Sequence, residues 1–301
     1  MHIVAKAFTL YRECSLQLSC RKSAEAFVFV QSLRKVRKHC SKLPMNTFVQ
    51  FARSVLAFIV REMATRYGSK PGGYLWAILD PLAHVAVMTA IFTAISRTPA
   101  LGDSYPLYFG TGYMAFHMYQ TMASYVSSAI RANKQILTYP TVAIIDPIVA
   151  RYILQFMTGI ATAIVILLLV ISETHRPVDI QWLPIVEATL AASLLGLSIG
   201  LVNATMYVRF PMYENIFSLI NRPMYLISGV FFLPDAMPPA VQDMVMLNPI
   251  AHLVMLFRTG FYPEYHADLL DIGYVYKCCL VLLFAGLALV TKYNVYLRNE
   301  R

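Results

Sequence analysis

The sequence predicts an all-α integral membrane protein: six transmembrane helices, an N-terminal amphipathic interface helix ahead of them, and a re-entrant hairpin between spans five and six. Three observations carry this. Of the 301 residues, 58% are hydrophobic and only 14% charged, where a soluble domain usually carries about 25% charge. The apolar residues gather in segments long enough to cross a hydrocarbon core of roughly 30 Å at about 1.5 Å per residue. The basic residues gather at one end: 13 of the 25 Lys and Arg precede residue 75, against three acids, Glu13, Glu25 and Glu62. Such asymmetry orients a membrane chain with its N-terminus in the cytoplasm. It also argues against nucleic acid as the reason for the net charge of +9.

Residues 1–45 read as a basic cytoplasmic arm, either amphipathic or disordered, without the apolar core and cleavage site of a signal peptide. Residues 46–73 read as the interface helix and its hinge. At helical spacing Phe48, Phe51, Ala52, Val55, Ile59 and Met63 share one face, while Gln50, Arg53, Ser54 and Arg61 lie opposite, the pattern of a helix lying in the lipid interface. Lys70-Pro71-Gly72-Gly73 ends it.

Residues 74–301 form the six-span domain. The first span runs from Trp76, placed at headgroup level, to Ile95, and the others cover Leu107 to Ser128, Ile145 to Ile171, Leu183 to Val208, Ile216 to Leu233 and Tyr274 to Thr291. Six crossings return the C-terminus to the cytoplasm, in keeping with Arg131, Lys134, Arg209, Lys292, Arg298 and Arg301 on the inner side. Between the last two spans Met244 to Phe257 is apolar but too short to cross, and Pro238-Pro239 and Asn248-Pro249 interrupt it. A stretch of this length reads as a re-entrant hairpin capping a pathway on the outer side, or as a loop on the outer surface.

Several motifs have readings that the context decides. Gly196-Leu197-Ser198-Ile199-Gly200 spells G-x-S-x-G, but it falls mid-span, not on a strand-to-helix turn. Ala188, Ala192, Gly196, Gly200 and Ala204 form a stripe of small residues that admits a close helix neighbour. Asn203-Ala204-Thr205 is a sequon by letters, inert inside a span. Asp80 and His84, one turn apart in the first span, form either a proton relay or a hydrated site near the headgroups. Asp146 and Arg151 look like an interfacial pair at the start of the third span. Five cysteines without a C-x-x-C and seven histidines without ligand spacing leave disulfides and a metal site unsupported. No phosphate-binding G-x-x-x-x-G-K-[ST] is present, so ATP has to be used by a partner. Two elements can receive that partner: the interface helix around Arg61, and the basic stretch Ile130 to Leu137.

Three motifs resemble the ABC-2 type permeases, in particular the inner-membrane permeases that export capsular polysaccharide in Gram-negative bacteria. Arg61 to Tyr67 with Gly72-Gly73-Tyr74-Leu75-Trp76 and Asp80-Pro81 is similar to the family's interface helix and first span. The stretch Arg131 to Leu137 is similar in place to its coupling helix. Ser228 to Pro234, followed by Asn248-Pro249, His252 and Arg258 to Phe261, is the most specific match. The resemblance covers about residues 45 to 301. It implies a homodimer docked on two copies of a P-loop ATPase, which holds the ATP and Mg while this chain binds no cofactor. The cargo is then a lipid-anchored acidic glycan, passed on to a periplasmic co-polymerase and an outer-membrane channel. Export of O-antigen, teichoic acid or drugs is an alternative, as is a proton-coupled secondary transporter using Asp80 and His84.

The residues expected to meet the ATPase are Arg53, Arg61, Glu62, Arg66, Arg131, Asn133, Lys134 and Gln135. Tyr113, Phe116, His117, Tyr119, Arg222 and Tyr225 are candidates to line a sugar path, aromatic faces offering contact to sugar C–H groups; the same rings can equally pack between helices. Pro234, Asp235, Asn248, Pro249, His252 and Arg258 are expected to form the outer re-entrant gate.

Overall fold

The computed structural model describes residues 47–67, 72–73, 75–95, 98–139, 142–174 and 178–299. The arm 1–45 and the hinge residues Lys70 and Pro71 lie outside them. Contacts separate a unit ending at Ala52, of which only the helical residues 47–52 are described, from a unit spanning Arg53–Arg301; the packing below is that of the second. Every regular element among the described residues is helical.

Helix α1 (Thr47–Tyr67) leads to α2 (Leu75–Ile95), and Gly72 and Gly73, with φ of 89° and 43°, make the turn between them. Next come α3 (Tyr105–Ser127), two short helices α4 (Ala129–Ala132) and α5 (Lys134–Leu137), and the long pair α6 (Ile145–Ser172) and α7 (Trp182–Arg209). The chain then forms α8 (Pro211–Ile227), α9 (Pro239–Met246), α10 (Pro249–Thr259), α11 (Ile272–Lys292) and α12 (Asn294–Asn299).

Helices α2, α6, α7 and α11 are long and apolar enough to cross a membrane. Helix α3 has the length, 23 residues, but carries Tyr, His, Gln, Thr and Ser along one side. It is nevertheless the central element, buried from Tyr105 to Ser127 along most of its length and packed on α7, α6, α10 and α2. The expected fifth span is not one helix. Helix α8 has 17 residues, and Gly229, with φ of 75°, turns the chain so that Ser228 to Leu233 follow as irregular backbone. The expected hairpin is two helices, α9 and α10, bent by 98°. The break falls at Asn248-Pro249, where Asn248 Oδ1 accepts from the Ile250 amide at 3.1 Å and caps α10. From Ile250 to Arg258 every residue of α10 is buried, so α10 is a core helix of the bundle.

The small-residue stripe of α7 does what its spacing predicts. A Cβ at Gly196 would stand 2.8 Å from the Tyr119 carbonyl oxygen, and one at Gly200 2.7 Å from Val126 Cβ, so α3 lies directly on α7. Asn203 is buried, and its Oδ1 accepts from the Tyr213 hydroxyl at 3.1 Å.

The amphipathic face of α1 differs from expectation. Val55 and Phe58 are buried against Ala150 of α6, flanked by Ile59, Ile136, Val142 and Val149. Met63, expected on the same face, is exposed, as are Leu56 and Val60. The helix has two apolar faces, one seated on α6 and one left open, and its carboxylate Glu62 falls on the seated side.

Candidate functional site

Three clusters hold the candidate residues. The first is a polar joint around Glu62. This α1 carboxylate is buried, and Oε1 and Oε2 accept from Arg151 Nε at 2.9 Å and Nη2 at 3.1 Å. Asn133, between α4 and α5, donates to Oε1 at 2.9 Å, and the Tyr125 hydroxyl donates to Oε2 at 3.0 Å. Arg151 Nη1 also donates to the Tyr125 carbonyl at 3.0 Å and to Ser128 Oγ at 2.7 Å. Arg61 Nη1 donates to Asn133 Oδ1 at 2.5 Å. Arg66 Nη1 donates to Gln155 Oε1 at 2.6 Å, and its guanidinium lies 4.0 Å over the Tyr125 ring. Burial alone would raise the Glu62 carboxyl; the bonds from Arg151, Asn133 and Tyr125 outweigh it and hold the group below its ordinary value. A buried carboxylate persists when paired and hydrogen-bonded in this way. The joint therefore ties α1 to the end of α3, to the α4–α5 turn and to α6.

Of the residues expected to meet an ATPase, the joint takes up Arg61, Glu62, Arg66 and Asn133. Asn133 and Glu62 are buried. Arg53 and Gln135 are exposed, and Lys134 is half-buried beside Arg131 along a small cavity. Arg131 is exposed, pairs with Glu214 at 2.5 Å and donates to the Tyr207 carbonyl at 2.9 Å. The expected Asp146–Arg151 pair does not form. Asp146 Oδ2 accepts from the Ala143 amide at 3.1 Å while Arg151 turns to Glu62. Five positions along a helix do not face each other, and an Arg inside an apolar helix with no facing acid on its own turns calls for a partner from another element. That was the available signal for Arg151. Gln155, one turn further, has the same explanation.

The second cluster is aromatic. His84 of α2 stacks on Tyr113 of α3 with centroids 4.1 Å apart, and its Nε2 meets the Tyr225 hydroxyl at 2.5 Å. Tyr113 lies 5.4 Å from His117, and Tyr225 lies 4.9 Å from both Phe116 and Phe231. Tyr119 donates to Asn221 Oδ1 at 3.4 Å. Phe116 and Tyr119 are buried and pack between helices; Arg222 is exposed and Asp80 is exposed. The hydrogen-bond partner of His84 is thus Tyr225, while Asp80, one turn away, is exposed.

The third cluster centres on Arg258 of α10, fully buried. Its Nη1 donates to the Gly229 carbonyl at 2.7 Å and its Nη2 to the Val230 carbonyl at 2.8 Å, with the guanidinium 4.3 Å over the Tyr108 ring. A Cβ at Gly112 would come within 2.7 Å of Nη2, so a larger residue there would push the guanidinium aside. Buried Pro234 follows the loop, and Asp235 Oδ2 accepts from Tyr265 at 2.5 Å. Burial, with that carboxylate beside it, pushes the Tyr265 hydroxyl up. His252 Nε2 faces the Met246 carbonyl at 2.9 Å while Nδ1 accepts from the Asp271 amide at 3.1 Å, which makes Nε2 the protonated nitrogen. Pro249 opens α10 behind Asn248. Tyr108 and Tyr265 are the members that sequence reading missed.

The family model described as ABC-2 type transporter matches residues 53–262, which takes in the first two clusters and the third as far as Tyr262. The chain belongs to this family. Members of the ABC-2 family are membrane permease subunits of ABC transporters. Among similar proteins, the polysialic acid transport protein KpsM of Escherichia coli is 30% identical over 236 residues, covering 78% of this chain and 92% of that one. The capsule polysaccharide export inner-membrane protein CtrC of Neisseria meningitidis is 28% identical over 244 residues, 80% of this chain and 91% of that one. The capsule polysaccharide export inner-membrane protein BexB of Haemophilus influenzae is 24% identical over 245 residues, with coverage of 80% and 91%. In this ABC-2 permease the match stops at Tyr262, so α11 and α12 lie beyond the family profile.

Proposed function

We propose that this chain is the transmembrane subunit of an ATP-driven exporter that carries lipid-anchored capsular polysaccharide across the bacterial inner membrane. The observation that carries the reading is similarity over about four-fifths of this chain to the polysialic acid and capsule polysaccharide proteins, each covered over more than nine-tenths of its length.

In this reading the chain crosses the membrane six times with both termini in the cytoplasm. Residues 1–45 form the arm, 46–73 the interface helix and 74–301 the permease domain, with α9 and α10 re-entering from the outer side. Two copies form a homodimer on two P-loop ATPase subunits, which hold ATP and Mg. The chain itself needs no cofactor. A periplasmic co-polymerase and an outer-membrane channel receive the glycan. Arg53, Arg131, Lys134 and Gln135 are the residues that meet the ATPase. The joint around Glu62 passes the movement to α3 and α6. Tyr113, His117, Tyr225 and Arg222 line the path, Phe116 and Tyr119 brace it, and the Arg258 cluster with Asp235, Asn248 and His252 forms the outer gate.

The test is to tag the chain, extract it gently from its native membrane, identify co-purifying proteins and measure vanadate-sensitive ATPase activity. A P-loop ATPase in equal amount, together with loss of surface capsule when the gene is deleted, supports the reading. A chain that purifies alone from a strain whose capsule survives the deletion overturns it. Export of O-antigen is the second reading, favoured by 24% identity over 241 residues to the O-antigen export system permease protein RfbA of Klebsiella pneumoniae. Analysis of which surface polymer disappears in the deletion strain separates the two.

A further inference from the structure

Helix α3 places Tyr113, His117, Gln120 and Ser124 at spacings of four, three and four residues, which puts all four on one side of a helix. That side opens on a groove of about 380 Å³, which Arg66 of α1 and Asp80 of α2 also line. Hydrocarbon requires none of these groups. In a chain that is 58% hydrophobic, the imidazole of His117, the amide of Gln120, the hydroxyl of Ser124 and the rings of Tyr113 and Tyr125 on one groove are chemistry for a hydroxylated ligand with C–H faces. Arg66 is the cation of the groove, and a guanidinium takes a carboxylate or phosphate by two parallel bonds. Asp80 has the wrong charge for an anion, so an acidic group is seated at the Arg66 end and sugar hydroxyls donate to Asp80.

The same side chains belong to the joint. Arg66 donates to Gln155 and lies over the Tyr125 ring. Gln155 donates to Thr121 Oγ1 at 3.1 Å, and the Tyr125 hydroxyl donates to Glu62. A ligand that engages Arg66 competes with Gln155 for its donors and so acts on the contact between α1 and α6.

Resting on the exporter reading above, we propose that this groove binds an anionic group of the glycolipid cargo through Arg66. Its occupancy is transmitted to the joint, so that ATP hydrolysis in the partner responds to acidic cargo. The anion is a carboxylate of the sugar or a phosphate of the lipid anchor.

The test uses the full permease with its co-purified ATPase in lipid nanodiscs and reads ATPase activity against three added probes. These are an acidic oligosaccharide, a neutral oligosaccharide of equal length, and a short-chain phospholipid phosphate without sugar. The acidic sugar or the lipid phosphate is expected to stimulate hydrolysis, and whichever does so identifies the source of the anion. R66Q should raise the concentration for half-maximal stimulation about tenfold or more, as loss of a charge-assisted bond does, and R66K should recover part of it. Q120A and S124A, which face the groove and not the joint, guard against a folding defect in R66Q and should raise the half-maximal concentration of an active saccharide probe several-fold.

Stimulation by an acidic probe with the same half-maximal concentration in R66Q and the wild type overturns the groove while leaving the exporter standing. Equal potency of the neutral sugar does the same. Absence of stimulation by any probe overturns the groove, and the exporter reading falls only if the ATPase also fails to co-purify.

Discussion

Glu62 in α1 and Arg151 in α6 meet as a buried two-point ion pair, with both carboxylate oxygens accepting from one guanidinium at 2.9 and 3.1 Å. They are 89 residues apart in sequence, so the pair fixes the amphipathic helix to the bundle. Desolvating two charges is costly, and removing one partner strands the other. E62A and R151A should each lower the stability of the detergent-solubilised protein by about 3–5 kcal/mol. The double variant E62A/R151A should lose clearly less than the sum. Additive losses in thermal unfolding would mean that the pair is not energetically coupled.

The same pair gives a pH dependence with a definite sign. The folded state holds the Glu62 carboxyl below its ordinary value of 4.5, so the unfolded chain binds the proton more readily. Such a group contributes stability that is present above the unfolded value and lost as pH falls through the folded one. The stability gap between wild type and E62Q should therefore be constant near neutral pH and narrow as pH falls below 4.5. Melting temperatures across an acid series read this directly. A gap that widens on acidification would contradict the pairing.

The contact of α3 with α7 predicts a contrast between glycines. At Gly196 a Cβ would meet Met122 Cβ at 2.7 Å and the Tyr119 carbonyl oxygen at 2.8 Å, and backbone cannot step aside. G196A should destabilise by about 1–3 kcal/mol. At Gly110 the nearest atom, Val170 Cγ2, is 3.5 Å away, an ordinary contact. G110A should be neutral, or stabilising by up to about 1 kcal/mol from helix propensity. Equal effects at the two sites would mean that α3 does not lie on α7 as closely as described.

Arg131 and Glu214 form an exposed pair, and pairs of this kind contribute about 0–1 kcal/mol. Reversing charge at Arg131 and Lys134 should leave the melting temperature nearly unchanged. Surface glycan should fall sharply if these side chains meet the ATPase. Normal glycan in the double variant would remove Arg131 and Lys134 from the coupling surface.

What the sequence made legible follows from periodicity. The apolar runs marked α2, α6, α7 and α11 because a spanning helix declares itself by composition alone. The stripe from Ala188 to Ala204 marked a close contact because small side chains at a spacing of four have few other uses. Tertiary partners were less legible. Arg151 was assigned to Asp146 because both lay at one end of a span, whereas its partner comes from a helix far away in sequence. The end of α8 was read too late because Ser228 to Leu233 is apolar, and only the positive φ of Gly229 ends the helix there. The face of α1 read as turned to lipid is divided in the fold, Val55 being seated on α6 and Met63 exposed, since an amphipathic pattern gives the direction of an apolar face but not what covers it.

Arg258 provides the last prediction. Its guanidinium is enclosed at the meeting of α10, α3 and the turn after α8, where it satisfies the carbonyls of Gly229 and Val230 and reaches Phe232 at 3.4 Å. Irregular backbone inside a bundle needs such partners, because an orphaned buried carbonyl costs about 1–3 kcal/mol. Lysine presents a point charge on a flexible stem in place of a planar fork and cannot serve these carbonyls together. R258K should therefore keep the protein folded but raise hydrogen exchange of the amides in residues 229–233 by about tenfold, the factor that corresponds to about 1.4 kcal/mol. G112A offers an independent approach to the same lock, since its added Cβ would press on Nη2 at 2.7 Å without altering the charge. Faster exchange in both variants, confined to that turn, identifies Arg258 as its clamp. Unchanged exchange in both would mean that the turn is held by the packing of Val230 and Pro234 alone.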